Sequence, residues 1–188
     1  MIGNLNHVAI AVPDLEAAIL QYQNAFGVFV SSPKNLPSHG VRVAVVKLPN
    51  TIIELITSLG EASPLQGFLK NNPQGGVHHL CYEVTDIMAA RDHLIAAGLH
   101  VTGDGKPKLG YHGNPVLFFQ PKDSLGVLIE LEEVSLSQTQ ESAGGAPIGP
   151  VHTPHKSSSQ SLAGVDGIGV GIDIDFKRGT PKDNEEGE

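Results

Sequence analysis

The sequence predicts an α+β protein made of two tandem βαβββ modules. The segment that contains His7 is repeated 72 positions further along, around His79, with a matching apolar run and matching paired alanines. A second echo, at the other end of each copy, places Glu54 opposite Glu130, each in an apolar strand pattern. Both copies read as a strand, then a helix, then further strands. Duplication of one unit therefore indicates the fold class.

The first module spans about 4–57. Its predicted elements are a strand at 4–12, a helix at 15–26, a loop at 31–40 and strands at 41–48 and 51–57. Asp14 stands where a helix N-cap is needed, and Gly27 stands where the helix ends. The last two strands are separated by Pro49 and Asn50, which are residues typical of turns.

The second module spans about 76–133 and repeats this order. Its predicted elements are a strand at 76–84, a helix at 87–97, a short strand near 99–102, a loop at 103–114 and strands at 115–120 and 126–133. A connector at 58–75 joins the modules. It contains a short helix that begins near Ser63 and Pro64, because proline is favoured at the first helical position.

The composition changes near residue 135, and Ser, Gln, Gly, Pro and Thr dominate from there to residue 188. Such a segment cannot bury enough apolar area to offset the entropy lost on ordering. We therefore expect one folded domain at 1–134 and a mostly disordered, low-complexity tail at 135–188. Residues 168–176 alternate apolar side chains with Gly and Asp, so an added edge strand is the alternative for that segment.

The charge balance argues against a nucleic-acid partner. The chain has 12 Lys and Arg against 20 Asp and Glu, a net charge of −8, and its basic residues form no cluster suited to phosphates. A single cysteine excludes an internal disulfide, and no apolar run approaches the roughly 20 residues of a membrane span. We expect a soluble protein of the bacterial cytoplasm, or of the mitochondrial matrix if the chain has been processed.

Two imidazoles and two carboxylates recur at equivalent places of the duplicated unit. These candidate site residues, each from one strand of a pseudo-symmetric pair of sheets, are His7, Glu54, His79 and Glu130. A lone strand histidine or glutamate is usually structural or exposed, but here both recur in both copies. A buried carboxylate without a partner would cost several kcal/mol. Two imidazoles and two carboxylates around one divalent metal ion would remove that cost.

The repeat also distinguishes the adjacent histidines. His79 aligns with His7, so His79 is the predicted ligand. Because successive side chains of a strand face opposite ways, His78 is predicted to point away from the site, into a second layer or to the surface. Cys81 is assigned to the core.

At these residues the sequence resembles the vicinal oxygen chelate superfamily, which has duplicated modules with one metal ligand at each end. Within it, several segments look like those of the methylmalonyl-CoA epimerases, namely 54–64, 68–69, 75–79, 113–116, 121–123 and 127–132. The resemblance covers residues 4 to about 133. It implies metal-dependent epimerisation of methylmalonyl-CoA between its (R) and (S) forms, with the C2 proton removed and returned through a metal-stabilised enolate.

The resemblance implies that the four site residues bind a divalent ion and that no organic cofactor is needed. Co²⁺ is the first choice, with Mn²⁺, Ni²⁺ and Zn²⁺ as alternatives. Glu130 is implied as one acid-base residue. Some relatives carry a second carboxylate on the strand that here spans 41–45, and this chain has none there, so we assign the second role to Glu54.

The loop 110–113 resembles a substrate-side loop, and it makes His112 and Gly113 candidate substrate contacts. The usual small residue at its second position is replaced by Tyr111. An acyl-CoA substrate and a homodimer are also implied by the resemblance.

Two other functions stay open. A glyoxalase I-type lyase, that is, a lactoylglutathione lyase, uses the same ligand set. Its glutathione pocket would be expected to offer arginines, and the chain has only Arg42, Arg91 and Arg178. A small-molecule-binding module of the same fold would be expected to lack ligands, and all four are present.

Overall fold

The computed structural model of the chain describes residues 2–135. Eight strands and three α-helices make up this part: β1 (Leu5–Ala11), α1 (Leu15–Phe26), β2 (Lys34–Leu36), β3 (Val41–Lys47), β4 (Ile52–Ser58), α2 (Leu65–Asn71), β5 (Gly76–Val84), α3 (Ile87–Ala96), β6 (Lys108–Leu109), β7 (Pro115–Phe119) and β8 (Leu128–Glu133). The predicted α+β fold of two βαβββ modules is confirmed, with α2 between the modules. None of the described helices has the length and apolar character needed to span a membrane.

Except for Ser135, the predicted tail at 135–188, including its alternating segment at 168–176, lies outside the described residues.

Two short strands form in stretches that the sequence predicts to be loops. Strand β2 lies within 31–40, and β6 lies within 103–114. The short strand expected near 99–102 is reduced to one bridge, between Val101 and Phe119. Strands of two or three residues are too short to give an alternating pattern, and here they form by pairing with β3 and β7.

The eight strands form one continuous sheet in the order β2-β3-β4-β1-β5-β8-β7-β6. The expectation of a pair of sheets is wrong, because β1 and β5 pair antiparallel and join the two modules at the centre. On either side of this pair, β4 runs parallel to β1 and β8 runs parallel to β5. The first strand and the last strand of each module therefore lie side by side.

The two faces of the sheet differ in what covers them. Helix α1 packs its buried residues Leu15 and Ala18 against β3 and β4, and α3 covers the second module with Ile87 and Ala90 in the same way. Each helix begins at the predicted aspartate cap: Asp14 accepts from the Ala17 amide at 3.0 Å, and Asp86 accepts from the Ala89 amide at 2.9 Å. On the opposite face, α2 covers part of the first module by packing Leu65 against Val43 and Ile56, and the rest of that face forms a cleft.

Gly75 fixes the start of β5 against the end of β1. Its φ is +82°, and a Cβ at this position would lie 2.3 Å from the carbonyl oxygen of Ala11. Only glycine fits both the backbone conformation and the close approach. The central strand pair, and with it the position of His79, depends on this contact.

Candidate metal and acid-base site

The sheet curls around a cavity of about 680 Å³ on the face opposite α1 and α3. Its two edges meet across this cavity. His39 Nε2 lies 3.0 Å from the carbonyl oxygen of Leu109. The Lys34 ammonium donates to the carbonyl oxygen of Tyr111 at 3.3 Å and lies 4.9 Å from the centre of its ring. Residues of both modules therefore line one enclosed cleft.

The structure brings all four predicted site residues together at the base of this cleft. Glu130 Oε2 lies 3.0 Å from His7 Nε2 and 2.9 Å from His79 Nε2. The two Nε2 atoms are 3.2 Å apart, and Glu54 Oε2 is 3.6 Å from His7 Nε2. Each side chain is at least 93% buried, so the cluster is removed from bulk water.

Strand register explains why these four side chains converge. Ala9 of β1 lies opposite both Glu54 of β4 and His79 of β5. Cys81 of β5 lies opposite both His7 of β1 and Glu130 of β8. Residues directly opposite each other in neighbouring strands point to the same face. The small side chains of Ala9 and Cys81 leave the space into which the four larger ones reach.

The two carboxylates have opposite electrostatic surroundings. Burial raises the pKa of Glu54 above its usual value, and the attraction of His7 only partly offsets it. Burial acts in the same direction on Glu130, but hydrogen bonds from His7 and His79 outweigh it and lower the pKa of Glu130 to about 2. Burial lowers the pKa of His7, yet its contacts with Glu130 and Glu54 leave that pKa raised overall. Glu130 is therefore the firmly ionised carboxylate, and Glu54 is the one that takes up a proton more readily.

The cluster fits a divalent cation. Four distances link the donor atoms of these residues, and at 2.9–3.6 Å they match neighbouring ligands around one ion, since metal–ligand bonds of about 2.0–2.2 Å at right angles place ligands about 3 Å apart. The donor atoms of His7, Glu54 and His79 all lie within 4.8 Å of one another. Within the described part of the chain, Glu54 Oε1 is buried without a hydrogen-bond partner. Mixed imidazole and carboxylate ligands suit ions such as Co²⁺, Ni²⁺, Zn²⁺ and Mn²⁺.

Cys81 is buried, as predicted for a core residue, but it also belongs to this cluster. A ligand atom of Cys81 lies within 4.8 Å of ligand atoms of His7 and Glu130. Burial and the neighbouring carboxylates raise the pKa of the thiol well above its usual value, so it stays protonated and hydrogen-bonds to Glu130. The available signal was its position two residues after His79, which places both on one face.

His78 does not face away from the site as predicted, although its contact with a site histidine agrees with the predicted second-layer position. His78 lines the cleft, and its Nδ1 lies 2.9 Å from Nδ1 of His79. The reason is an irregularity in the β1–β5 pairing: Ala9 faces His79 and Ile10 faces Val77, which leaves His78 as an unpaired extra residue. Such a bulge interrupts the alternation of side chains. Burial lowers the pKa of His78 to about 4, with a further contribution from His79, so its imidazole is neutral.

The loop before β7 contributes a second polar group to the cleft. His112 Nδ1 lies 3.5 Å from Glu132 Oε1, and Asn114 donates to the same oxygen at 2.8 Å. The contact with Glu132 is the main cause of a raised pKa at His112. Glu132 is buried and was missed in the sequence, although it stands two residues after Glu130 on the same strand face. Gly113 is not among the residues that line the cavity.

Three comparisons with known proteins agree with one another. A family profile described as the Glyoxalase/Bleomycin resistance protein/Dioxygenase superfamily matches residues 6–118. The ethylmalonyl-CoA/methylmalonyl-CoA epimerase of Cereibacter sphaeroides is 62% identical over 134 residues, which are 71% of this chain and 100% of that protein. The mitochondrial methylmalonyl-CoA epimerase of Homo sapiens is 50% identical over 132 residues, 70% of this chain and 74% of its own length.

A solved structure is similar as well. It is a methylmalonyl-CoA epimerase in complex with methylmalonyl-CoA and NH₄⁺, with a TM-score of 0.67 and 28% sequence identity. The match covers 72% of this chain and 97% of the solved chain. The family profile, which matches residues 6–118, contains His7, Glu54 and His79 of the buried cluster.

Proposed function

The chain belongs to the methylmalonyl-CoA epimerases, a family within the glyoxalase/bleomycin resistance protein/dioxygenase superfamily, and on this premise we propose how its cleft works. It is an isomerase that interconverts the (R) and (S) forms of methylmalonyl-CoA. The observation that supports a mechanism is the meeting of two carboxylates from equivalent strands at one nitrogen, since Glu54 and Glu130 both reach His7 Nε2.

Inversion at C2 requires two acid-base groups, one on each face of that carbon. We assign these roles to Glu130 and Glu54, one of which removes the proton while the other returns it. Among the described residues, no hydrogen-bond donor reaches Glu54 Oε1, and burial raises the pKa of this side chain, so it can carry a proton at a higher pH than an ordinary glutamate. The strand beside it presents only apolar Val41 and Val43 to the cavity, so it offers no competing carboxylate.

We propose that a divalent cation is held by His7, Glu54, His79 and Glu130, with Co²⁺ as the first choice and Mn²⁺, Ni²⁺ and Zn²⁺ as alternatives. When bound, it would supply positive charge that stabilises the negative charge developing on the substrate as C2 loses its proton. The chain's own part is to enclose C2 away from water and to keep two carboxylates at the base of the cleft. The buried, unpartnered Glu54 Oε1 supports this proposal.

His112 is proposed to contact the substrate carboxylate. It is the histidine at the cleft wall whose pKa is raised through Glu132, so it carries positive charge more readily than a free imidazole. Glu132 holds His112 in place and is itself fixed by a hydrogen bond from Asn114. Gly113 has a φ of +84° and its amide donates to the Gly110 carbonyl at 3.1 Å, so in the proposal it shapes the loop, and its contact with substrate stays a prediction.

Solvent isotope exchange tests the two-carboxylate assignment. Each enantiomer of methylmalonyl-CoA is incubated separately in deuterated water with wild type, Glu54→Gln or Glu130→Gln, and deuterium at C2 is followed by mass spectrometry. We expect each variant to exchange C2 of one enantiomer only and to lose interconversion, because one base is left on one face. The exposed Glu16, on the helix side of the sheet, provides the carboxylate control as Glu16→Gln. Unchanged interconversion by Glu54→Gln would contradict its role.

The lyase alternative has no support among the described residues. Arg42 pairs with Glu16, Arg91 pairs with Asp92, and neither arginine lines the cavity. Methylglyoxal with glutathione, added to the same preparation, is expected to give no lactoylglutathione.

The substrate range is proposed to include ethylmalonyl-CoA, because the bacterial relative with 62% identity carries that substrate in its name. The same exchange assay with ethylmalonyl-CoA measures it. A homodimer is also proposed, for which exposed apolar side chains such as Leu20, Phe26 and Phe29 offer surface, and light scattering gives the mass. The proposed compartment is the bacterial cytoplasm or the mitochondrial matrix, and cell fractionation distinguishes them.

A further inference from the structure

The central strand pair contains two irregularities, one in each strand. Along β1, the register passes from Leu5 opposite Tyr82 to His7 opposite Cys81, so Asn6 is an extra residue. Along β5, the extra residue is His78. Each bulge stands directly before the histidine of the buried cluster on its own strand. In the duplicated sequence Asn6 and His78 occupy equivalent positions, 72 residues apart.

Both extra residues contact the same atom of their neighbours. Asn6 Oδ1 lies 2.9 Å from His7 Nδ1, and His78 Nδ1 lies 2.9 Å from His79 Nδ1. In a regular strand, residues next to each other point to opposite faces and their side chains do not meet. The bulges remove this restriction, because an unpaired residue is re-aimed by the local bend. Two different side chains thus reach one geometry through the same backbone feature.

We propose that Asn6 and His78 are positioning residues that fix the tautomers of His7 and His79, so that both Nε2 lone pairs face the centre of the cluster. An amide oxygen only accepts, so a hydrogen must stand on His7 Nδ1, and Nε2 offers its lone pair once a cation takes the place of its hydrogen bond to Glu130. At His79, donation from Nδ1–H to the unprotonated Nδ1 of His78 has the same result. A histidine that binds a metal through one nitrogen commonly donates its other N–H in this way.

Asn6 is itself oriented from behind. Its Nδ2 donates to Glu83 Oε1 at 3.3 Å, which directs its oxygen to His7. Asn4 donates to the other oxygen of the same carboxylate at 3.1 Å. Glu83 is buried, so Asn6 is held between this carboxylate and His7, whereas Asn4 contacts only the far oxygen of Glu83. On the other side, the ring of His78 packs edge-on against Phe68 at 5.0 Å between centres.

This inference rests on the proposed cation site and is tested by affinity. Co²⁺ dissociation constants are measured by competition with a chromogenic chelator for wild type, Asn6→Leu, His78→Leu and Asn4→Leu. Asn4→Leu is the matched control, because it removes a hydrogen bond to the same Glu83 without touching His7. We expect about 10–100-fold weaker Co²⁺ binding for Asn6→Leu and His78→Leu, and wild-type affinity for Asn4→Leu. Melting of the chelated proteins confirms that each variant is folded.

Two exchanges between the modules test the equivalence itself. His78→Asn places in the second module the residue that the first module uses, and Asn6→His does the reverse. Both are expected to restore most of the affinity that the leucine variants lose. In the Zn²⁺-loaded protein, ¹⁵N NMR is expected to show protonated Nδ1 at His7 and His79 in wild type and in both exchanges.

Wild-type Co²⁺ affinity in Asn6→Leu and His78→Leu would overturn this inference and leave the proposed cation site intact. Equal losses of Co²⁺ affinity in Asn4→Leu and Asn6→Leu would do the same. Failure of His78→Asn to recover affinity would overturn the role of His78. Wild-type protein that binds no Co²⁺ and epimerises after exhaustive chelation would instead overturn the cation site of the proposed function. The two failures are therefore distinguishable from measurements on the same set of proteins.

Discussion

Glu54→Gln should change the stability of the protein in opposite directions with and without a bound cation. In the metal-free protein, the carboxylate is buried, one of its oxygens has no partner, and burial raises its pKa. A buried polar group left unsatisfied costs about 1–3 kcal/mol. Glutamine removes the charge at nearly constant volume. We therefore expect Glu54→Gln, after the metal is removed with a chelator, to have a free energy of unfolding about 1–3 kcal/mol larger than that of wild type at neutral pH.

The pH dependence of this gain has a definite sign. A group whose pKa is raised by folding stabilises the folded state below its unfolded pKa and loses that contribution as the pH rises through the folded pKa. The usual value for a glutamate is 4.5. The advantage of Glu54→Gln in the chelated protein should therefore vanish below that pH and grow toward neutrality.

With the cation present, the same substitution removes a charged ligand. If affinity falls by about 10–100-fold, saturating cation stabilises the variant by about 1.4–2.7 kcal/mol less than it stabilises wild type. Urea unfolding with EDTA and then with excess Co²⁺ measures both arms, with Glu16→Gln as the surface control. A chelated variant less stable than wild type, or an equal gain from Co²⁺ in both proteins, would refute the reasoning.

Three further predictions follow from single contacts. Gly75→Ala should destabilise the protein by more than Gly60→Ala, because both glycines have φ near +82° but only a Cβ at 75 meets the Ala11 carbonyl oxygen, at 2.3 Å. The backbone strain common to both variants is about 1–2 kcal/mol. Equal decreases in melting temperature for the two variants would exclude the clash. Asp86→Ala should lower stability by about 1 kcal/mol through loss of the cap to Ala89, while Asp86→Asn keeps the cap, and denaturant midpoints compare them. Val43→Glu in a Glu54→Gln background should restore part of the (R)-to-(S) conversion, because Val43 lines the same cavity, whereas Val43→Gln in that background should restore none.

The fold class followed from the repeat, and the structure confirms it, because a duplicated pattern of strands and helices is a local property of the chain. The short strands β2 and β6 were missed for the converse reason. They are three and two residues long, respectively, and have no pattern of their own, and they pair only because a neighbouring strand presents an open edge. The joining of both halves into one sheet depends on the pairing of β1 with β5, whose paired residues lie between 65 and 77 positions apart in the sequence.

The site also has residues that could be predicted from the sequence and residues that were missed. The four site residues could be chosen from the sequence, because identical residue types recur at equivalent strand positions. The structure brings together His7, Glu54, His79 and Glu130, and each contacts at least one of the others at 3.6 Å or less. Their metal and acid-base roles remain proposals. Cys81 and Glu132 could have been found by counting two residues along the strand from a predicted ligand.

The sequence by itself therefore determined the duplicated unit and the four polar residues that it repeats, since both are written into spacing along one strand. Only the tertiary structure decided what surrounds them. The register shifts at Asn6 and His78 arise where β1 meets β5, and a shift between two strands has no signature in either strand alone. That pairing turns His78 toward His79 against the alternation rule, and it gives each histidine of the cluster a partner at Nδ1.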